Sequence, residues 1–258
     1  MSEPIFRREG DTYVPTLHAR GPWDPAQLHG GAPGALLAQL LATEGYLIAR
    51  LTFDFLGPVP LAPLRATTET TRAGRNLRMA RAQLCADGEP VLQAGAVLLR
   101  RASVELPALD RDGDVPAALD EAVQSPFPSD GEHPEGFHLT GMEIRFSAGT
   151  DYGPGPALAW FALRRPLIDD EPPTPVARAV AAADFGNGVS RVLDFEEYLF
   201  VNTDLTVHLH REPRGEWVLL DAHTRVEPHG SGLARSALYD EAGALGLSAQ
   251  SLFVARRR

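Results

Sequence analysis

The chain has 258 residues but no lysine, and all 24 of its basic side chains are arginine. Schiff-base enzymes, pyridoxal-phosphate enzymes, P-loop nucleotide-binding proteins and protein kinases each need a lysine ammonium group at a defined position. Arginine does not replace it, because the guanidinium stays protonated and forms no imine. The missing lysine therefore excludes these four classes.

Cysteine and positive charge are also scarce. The single cysteine, Cys85, excludes an internal disulfide and a cysteine-rich zinc site, which fits a reducing cytoplasm. A formal net charge of −10 argues against nucleic-acid binding, which needs a basic surface. No apolar run reaches about 18 residues and no secretory signal opens the chain, so we expect a soluble cytoplasmic protein without a membrane partner. We also expect no metal site and no cofactor.

A helix that is apolar on nearly all sides is predicted at residues 35–42, directly after His29, Gly30 and Gly31. Such a helix has to be buried, because it has almost no polar surface to present to water. Strands are predicted on either side of it. They lie around Phe6 and at 13–19, 46–56, 64–72, 75–86 and 90–101.

The second half repeats this order around another apolar helix, predicted at 176–185 and ended by Gly186-Asn187-Gly188. Its strands are predicted at 137–147, 157–164, 204–210, 217–225, 233–240 and 245–256. Residues 106–136 are rich in Pro and Asp and show no sustained period, so they are predicted to be a linker. We therefore divide the chain into an N-terminal unit, 1–105, and a C-terminal unit, 137–258.

Two dipeptides align the halves at a constant spacing. Leu51-Thr52 falls on Leu205-Thr206, and Ala80-Arg81 falls on Ala234-Arg235, each 154 positions further on. A sheet that wraps one apolar helix needs a second such sheet to cover the remaining face of the helix. The expected fold class is therefore α+β, with two tandem units whose antiparallel sheets each wrap around a long buried helix.

This arrangement and several motifs resemble the acyl-CoA thioesterase II family, whose fold is the double hotdog. The motifs are His29-Gly30-Gly31, Gly74-Arg75, and the segments 204–211, 216–224 and 249–256. The resemblance covers nearly the whole chain and implies an enzyme that hydrolyses an acyl-CoA to a free acid and CoA. It also implies assembly into a homodimer or a larger homo-oligomer.

In that family an aspartate, a hydroxyl residue and a glutamine jointly hold the hydrolytic water. The motif positions assign these catalytic roles to Asp204, Thr224 and Gln250. Gln250 is the most informative of the three, because an unpaired amide in an apolar strand would be costly to bury. The chain departs from the family at Leu205, where a histidine often follows the aspartate.

The first half does not retain all three of these residues. The 154-residue spacing places Asp204 on Arg50 and Thr224 on Thr70, and matching Ala249 with Ala94 on the last strands places Gln250 on Gly95. Only the second half therefore retains the set, and we expect one active site per chain.

Further substrate contacts are expected at the first helix and at an arginine. Gly30 and Gly31 would let an acyl carbonyl approach the unpaired N–H groups at the helix start, which can stabilise an oxyanion. His29 is a candidate contact beside them. Arg75 is the candidate for binding a CoA phosphate, since guanidinium groups bind phosphate through two hydrogen bonds.

Two other functions remain open at this point. A hotdog hydratase or dehydratase acting on acyl thioesters would need a His–Asp pair, for which His29 is the candidate base. A non-catalytic acyl-thioester binding protein would bind substrate without turnover. Asp204 and Thr224 also have structural interpretations, as a turn residue that starts a strand and as a packing residue within one.

Overall fold

The computed structural model describes residues 2–107, 115–125, 127, 134–147, 149–169 and 171–257. The strands are β1 Phe6–Glu9, β2 Thr12–Pro15, β3 Tyr46–Phe55, β4 Leu64–Ala73, β5 Leu77–Ala86, β6 Glu89–Arg100, β7 Met142–Phe146, β8 Ala157–Leu163, β9 Tyr198–Asn202, β10 Asp204–Leu209, β11 Val218–Glu227, β12 Ser231–Asp240 and β13 Gly243–Arg256. The helices are α1 Gly31–Leu41, α2 Pro175–Ala183 and the single turn α3 Gly186–Val189.

The strands form one continuous sheet. Their order across it is β1-β2-β4-β5-β6-β3-β10-β13-β12-β11-β8-β7, and β9 also pairs with β13. Each ladder between these strands is antiparallel. The two halves join at the ladder between β3 and β10, so the two predicted sheets are parts of one sheet.

Helices α1 and α2 pack against each other in opposite directions. At the start of α1, a Cβ atom on Gly31 would lie 3.0 Å from the carbonyl oxygen of Ala181, near the end of α2. At the other end, the Thr174 N–H donates to Gln39 Oε1 at 2.7 Å. Nine of the 11 residues in α1 are buried, as its apolar composition predicts. Among the described helices, none has the length and apolar character needed to span a membrane.

A pseudo-two-fold axis relates the halves and passes between Thr52 and Thr206. These residues are partners in the β3–β10 ladder and are also 154 positions apart. The β4–β5 and β11–β12 ladders have the same register under this spacing, with Thr70 and Thr224 in equivalent positions. The spacing that two dipeptides suggest is therefore present in the strand pairing.

The ladders correct one predicted counterpart. Ala234 pairs with Gln250, and in the first half Ala80 pairs with Ala96. Gln250 therefore corresponds to Ala96 and not to Gly95. The difference matters because a shift of one residue moves a strand side chain to the other face of the sheet.

Three local predictions differ from the structure. Strand β9 is not predicted from the sequence. Together, β9 and β10 are the counterpart of β3. The pairing register shifts by one residue between β9 and β10, and it shifts by one residue at the equivalent place within β3. The strand predicted at 13–19 ends at Pro15 and a 3-10 turn follows. The strand predicted at 137–147 begins with a one-turn π-helix, Phe137–Gly141, because the extended backbone starts only at Met142.

The predicted linker, 106–136, lies partly outside the described residues. Its longest described segment, 115–125, packs against the second half, where Ala122 joins Trp160 and Leu219 in a small apolar cluster. Two backbone hydrogen bonds between Val123 and Phe146, of 2.9 and 2.7 Å, attach it beside β7. This part of the linker is thus a packed segment of the C-terminal half.

Candidate active site

A buried carboxylate, that of Asp184, ends helix α2 and faces the start of α1. Its side chain is 3% exposed, and Oδ2 lies 3.0 Å from His29 Nδ1. Its Oδ1 accepts hydrogen bonds from Asn202 Nδ2 at 2.6 Å and from Gln250 Nε2 at 3.3 Å. A buried carboxylate is costly unless it has such partners, and clusters of this kind are concentrated at functional sites.

Gln250, on β13, is 1% exposed and its amide is held at both ends. Oε1 accepts the backbone N–H of Asn187 at 3.1 Å, and Nε2 donates to the backbone carbonyl of Asp184 at 3.0 Å. Asn187 is fixed in turn, because its Nδ2 donates to the carbonyl of Phe200 at 3.0 Å. The turn α3 therefore orients the amide so that its N–H groups face Asp184.

The start of α1 approaches Asp184 closely because it is built from glycine. A Cβ atom on Gly30 would lie 2.8 Å from Phe55 Cζ and 2.9 Å from Asp184 Oδ2. The N–H groups in the first turn of a helix lack intrahelical partners and lie at the positive end of its dipole. Gly30 thus brings the positive end of the α1 dipole beside the carboxylate.

His29 lies between this carboxylate and aromatic rings. Its ring stacks on Phe185 at 4.3 Å between centroids. Nδ1 is 3.0 Å from Asp184 Oδ2 and 3.1 Å from the backbone nitrogen of Gly31. One ring nitrogen cannot accept from Gly31 and donate to Asp184 at once, so the two contacts are alternatives set by the position of the ring proton.

A second histidine lies behind His29. The ring centroids of His29 and His138 are 6.4 Å apart. Burial, and then the charge of His29, lower the pKa of His138 to about 3. His138 is therefore neutral at pH 7 and places no second positive charge beside the site.

Asp204 does not reach this cluster. Leu205 and Val207 face the core, so the alternation of a strand turns Asp204 to the opposite face. Its Oδ1 accepts the backbone N–H of Ser251 at 2.5 Å, which ties the start of β10 to β13. The predicted trio of catalytic side chains is therefore not assembled, and the aspartate beside Gln250 is Asp184.

Thr224 lies on the same face as Gln250 but two strands away. Both pair with Ala234, from either side of β12, which separates their backbones by about 10 Å. The Oγ atoms of Thr224 and Ser190 are 2.7 Å apart, and Ser190 Oγ donates to the carbonyl of Gly186 at 2.7 Å. Thr224 thus supports α3 rather than touching Asp184.

Arg75 lies far from the cluster. Its backbone carbonyl accepts the hydroxyl of Tyr46 at 2.9 Å, and Tyr46 begins β3. Phe55, which touches the site, ends the same strand, about 30 Å away at the usual rise per residue. Of the predicted residues, the structure brings together Gln250, His29, Gly30 and Gly31, and leaves Arg75 outside.

The sequence interpretation missed Asp184 and Asn202. Asp184 gave a signal, since it is the lone carboxylate at the end of a helix whose residues, apart from Arg178, are apolar and mostly buried. Asn202 gave no signal, because it lies just before the strand predicted at 204–210 and polar residues are common at such a position.

A cavity of about 290 Å³ opens beside Asp184. Gly30, His29 and Asn202 line it near the carboxylate, and aromatic side chains form much of the remaining wall. In the described part of the chain, no group of three or more His, Cys, Asp or Glu side chains is placed to hold a metal ion. The polar atoms that the cavity offers are thus a carboxylate, amides, an imidazole and backbone N–H groups.

A mostly antiparallel sheet around packed helices, with a carboxylate facing a helix start, is the hotdog arrangement of a thioesterase. Family models agree: the acyl-CoA thioesterase N-terminal domain matches residues 19–99 and the C-terminal domain matches residues 116–254. The chain therefore belongs to the acyl-CoA thioesterase family, and it is a thioesterase enzyme.

Solved structures agree with this assignment. A protein from Novosphingobium aromaticivorans, described as a candidate thioesterase, is 25% identical with a TM-score of 0.74, over 98% of this chain and 99% of its own. The acyl-CoA thioesterase II TesB2 of Mycobacterium marinum has the same fold, at 19% identity and a TM-score of 0.61, over 97% of this chain and 93% of its own. A comparison with curated proteins finds no significant match.

Proposed function

We propose that the chain hydrolyses an acyl-CoA to a free acid and CoA, with Asp184 as the general base. The fold we propose for it is a double hotdog, with units 1–105 and 137–258 on either side of the linker. The observation that supports this function most directly is the contact set of Asp184: two amide side chains hold the carboxylate at the start of a glycine-rich helix.

In this mechanism Asp184 accepts a proton from water while the water oxygen attacks the acyl carbon. Asn202 and Gln250 hold the carboxylate in position, and the N–H groups at the start of α1 stabilise the oxyanion on the acyl carbonyl. The oxyanion then collapses, the carbon–sulfur bond breaks, and Asp184 returns the proton to the CoA sulfur. The products are a carboxylic acid and the CoA thiol.

Arginines at the cavity rim replace Arg75 as the proposed phosphate contacts. The guanidinium carbon of Arg257 lies 5.4 Å from the ring centroid of Trp23, and that of Arg191 lies 5.3 Å from Phe195. Both rings line the cavity. Among the described residues, neither guanidinium lies within salt-bridge distance of a carboxylate. We propose that they meet the CoA phosphates outside the cavity.

A second function is favoured by one contact. His29 Nδ1 and Asp184 Oδ2 are 3.0 Å apart, which is the His–Asp pair that a hydratase or dehydratase would need. Such an enzyme would add water across an enoyl double bond and leave the thioester intact.

One assay separates these functions. Wild-type protein is mixed with hexanoyl-CoA and, separately, with crotonyl-CoA, and both free thiol and enoyl absorbance are followed. Thiol release from hexanoyl-CoA is the expected result. Loss of enoyl absorbance without thiol release would identify a hydratase, and binding without either signal would identify a non-catalytic binding protein. Light scattering on the same sample tests our expectation of a homodimer or larger oligomer.

A further inference from the structure

We propose that the cavity beside Asp184 holds the acyl group and limits it to a short chain or a compact ring. This inference rests on the proposed function and specifies its substrate class. A cavity of about 290 Å³ is at the small end of ligand sites, which usually span about 300–1,000 Å³. At about 30 Å³ for each non-hydrogen atom, it accommodates about ten such atoms. Hexanoyl, octanoyl and phenylacetyl groups are within this limit, and a palmitoyl group exceeds it.

Two of the lining rings, those of Trp23 and Phe195, pack against each other and against Phe200. Trp23 contacts Phe195 and Phe200, each at 5.0 Å between centroids, and Phe195 contacts Phe200 at 4.9 Å. Phe200 is 2% exposed, so the core fixes this group from behind. Mutually packed aromatic rings move little, because displacing one leaves the others without contacts. We therefore expect this part of the wall to limit the length of a bound chain.

The other side of the cavity is closed by Phe55. Its ring occupies the space where a side chain at position 30 would lie, and Gly30 thereby brings the ring against the helix start. Val59, 4% exposed, continues this wall. The cavity thus combines apolar side chains in its wall with the carboxylate of Asp184, as a bound acyl thioester requires.

Charge argues against the CoA moiety as the occupant. No arginine is among the described residues that line the cavity, and its one carboxylate, Asp184, would repel a phosphate. The pantetheine arm has more than ten non-hydrogen atoms, which exceeds the size of the cavity. An acyl group satisfies both the size and the polarity of the cavity.

The test compares acyl-CoAs of increasing length. We expect kcat/KM to be highest for hexanoyl- or octanoyl-CoA and about tenfold or more lower for dodecanoyl- and palmitoyl-CoA, because a tight apolar pocket discriminates strongly by size. Phe195→Ala removes one ring of the wall and should move the optimum to longer chains. The matched control, Phe253→Ala, removes an exposed ring from the outer face and should leave the length profile unchanged.

Binding separates this inference from the proposed function. Dissociation constants of hexanoyl- and palmitoyl-CoA are measured by calorimetry on Asp184→Asn, which retains the cavity. Tighter binding of hexanoyl-CoA supports the size limit even if the wild-type protein releases no thiol. Palmitoyl-CoA bound or hydrolysed as well as hexanoyl-CoA overturns it, as does a Phe195→Ala variant whose activity changes equally at every length.

Discussion

The two halves of the molecule have the same strand pairing but different side chains at equivalent positions. At equivalent places in the strand pairing, the C-terminal half has Gln250 and Asn202, whereas the N-terminal half has Ala96 and Ile48. Gln250 and Asn202 hold Asp184, while Ala96 and Ile48 are buried and apolar. The amides that hold Asp184 are thus present in the C-terminal half and replaced by apolar side chains at the equivalent positions of the N-terminal half.

The N-terminal half nevertheless supplies part of the site. His29 and Gly30 come from the start of α1, and Phe55 comes from the end of β3. One half therefore contributes the carboxylate and its amides, and the other contributes the helix start and an apolar wall. This division agrees with the expectation that Gly30 and Gly31 of the N-terminal half meet the acyl carbonyl while polar side chains of the C-terminal half surround the water.

The largest expected effect comes from the carboxylate that distinguishes the halves. Asp184→Asn should lower kcat for thioester hydrolysis by about 10²–10⁴-fold, because it removes the general base while keeping the shape of the side chain. Asp204→Asn is the matched comparison, and it should retain activity since Asp204 faces away from the cluster. Steady-state rates of CoA release measure both. Loss of activity in Asp204→Asn with a folded protein would restore the site assignment made from sequence.

A second difference between the halves concerns stability. Asp240 is fully buried and Arg211 donates to both of its carboxylate oxygens at 2.6 Å, whereas the first-half counterpart of Asp240 is Ala86. Asp240→Asn should lower the free energy of unfolding by about 3 kcal/mol, because it removes the negative charge of a buried pair with Arg211. Denaturant unfolding measures the loss. Asp87→Asn, in an exposed turn, is the control. An equal loss of unfolding free energy in that variant would mean that the buried pair of Asp240 and Arg211 contributes no special stability.

The same pair predicts a dependence on pH. Burial alone would raise the pKa of Asp240, but hydrogen bonds from Arg211 and from two backbone N–H groups lower it. A lowered folded-state pKa stabilises the fold above the unfolded value, about 3.9, and this stabilisation is lost as the pH falls through the folded pKa. Wild type should therefore lose stability in acid more steeply than Asp240→Asn. If the free energy of unfolding falls equally in wild type and in Asp240→Asn between pH 6 and pH 2, this prediction is wrong.

A smaller effect on catalysis is expected at Gln250. Gln250→Ala should lower kcat by about 10- to 100-fold, since hydrogen bonds to charged groups contribute about 1.5–3 kcal/mol. The reverse exchange in the other half, Ala96→Gln, should add no activity, because the N-terminal half supplies no carboxylate there. Activity that rises in Ala96→Gln would mean that the first half retains a second site.

The smallest effect is expected at the rim. Arg257→Ala should raise KM for acyl-CoA by about two- to fivefold with little change in kcat, because exposed charges contribute little and salt screens them. Arg75 lies beside the start of β3, far from the cavity. Arg75→Ala is therefore the matched variant and should leave KM unchanged. The comparison is made at low and at high salt. A larger rise in KM for Arg75→Ala than for Arg257→Ala would support Arg75 as the phosphate contact.

Sequence predicts most of the architecture because its signals are local and repeated. The apolar helix before β3 and the alternating strands follow from periodicity, and the 154-residue spacing follows from two dipeptides. Matching the alanines at 94 and 249 predicts Gly95 as the counterpart of Gln250, which is one residue off. The hydrogen-bonded ladders set the register and make Ala96 the counterpart. Asp204 was chosen by motif position alone. Which face a strand residue occupies depends on the core it packs against, and that is a property of the fold.

The ladder between β3 and β10 is symmetric about Thr52 and Thr206, as a ladder between two identical subunits would be. In an assembly of identical chains every residue appears twice, so Gln250 and its apolar counterpart Ala96 could not occupy equivalent positions. Joining the two halves in one polypeptide removes that constraint. The two halves can then carry different side chains at equivalent positions while the strand pairing between them stays the same.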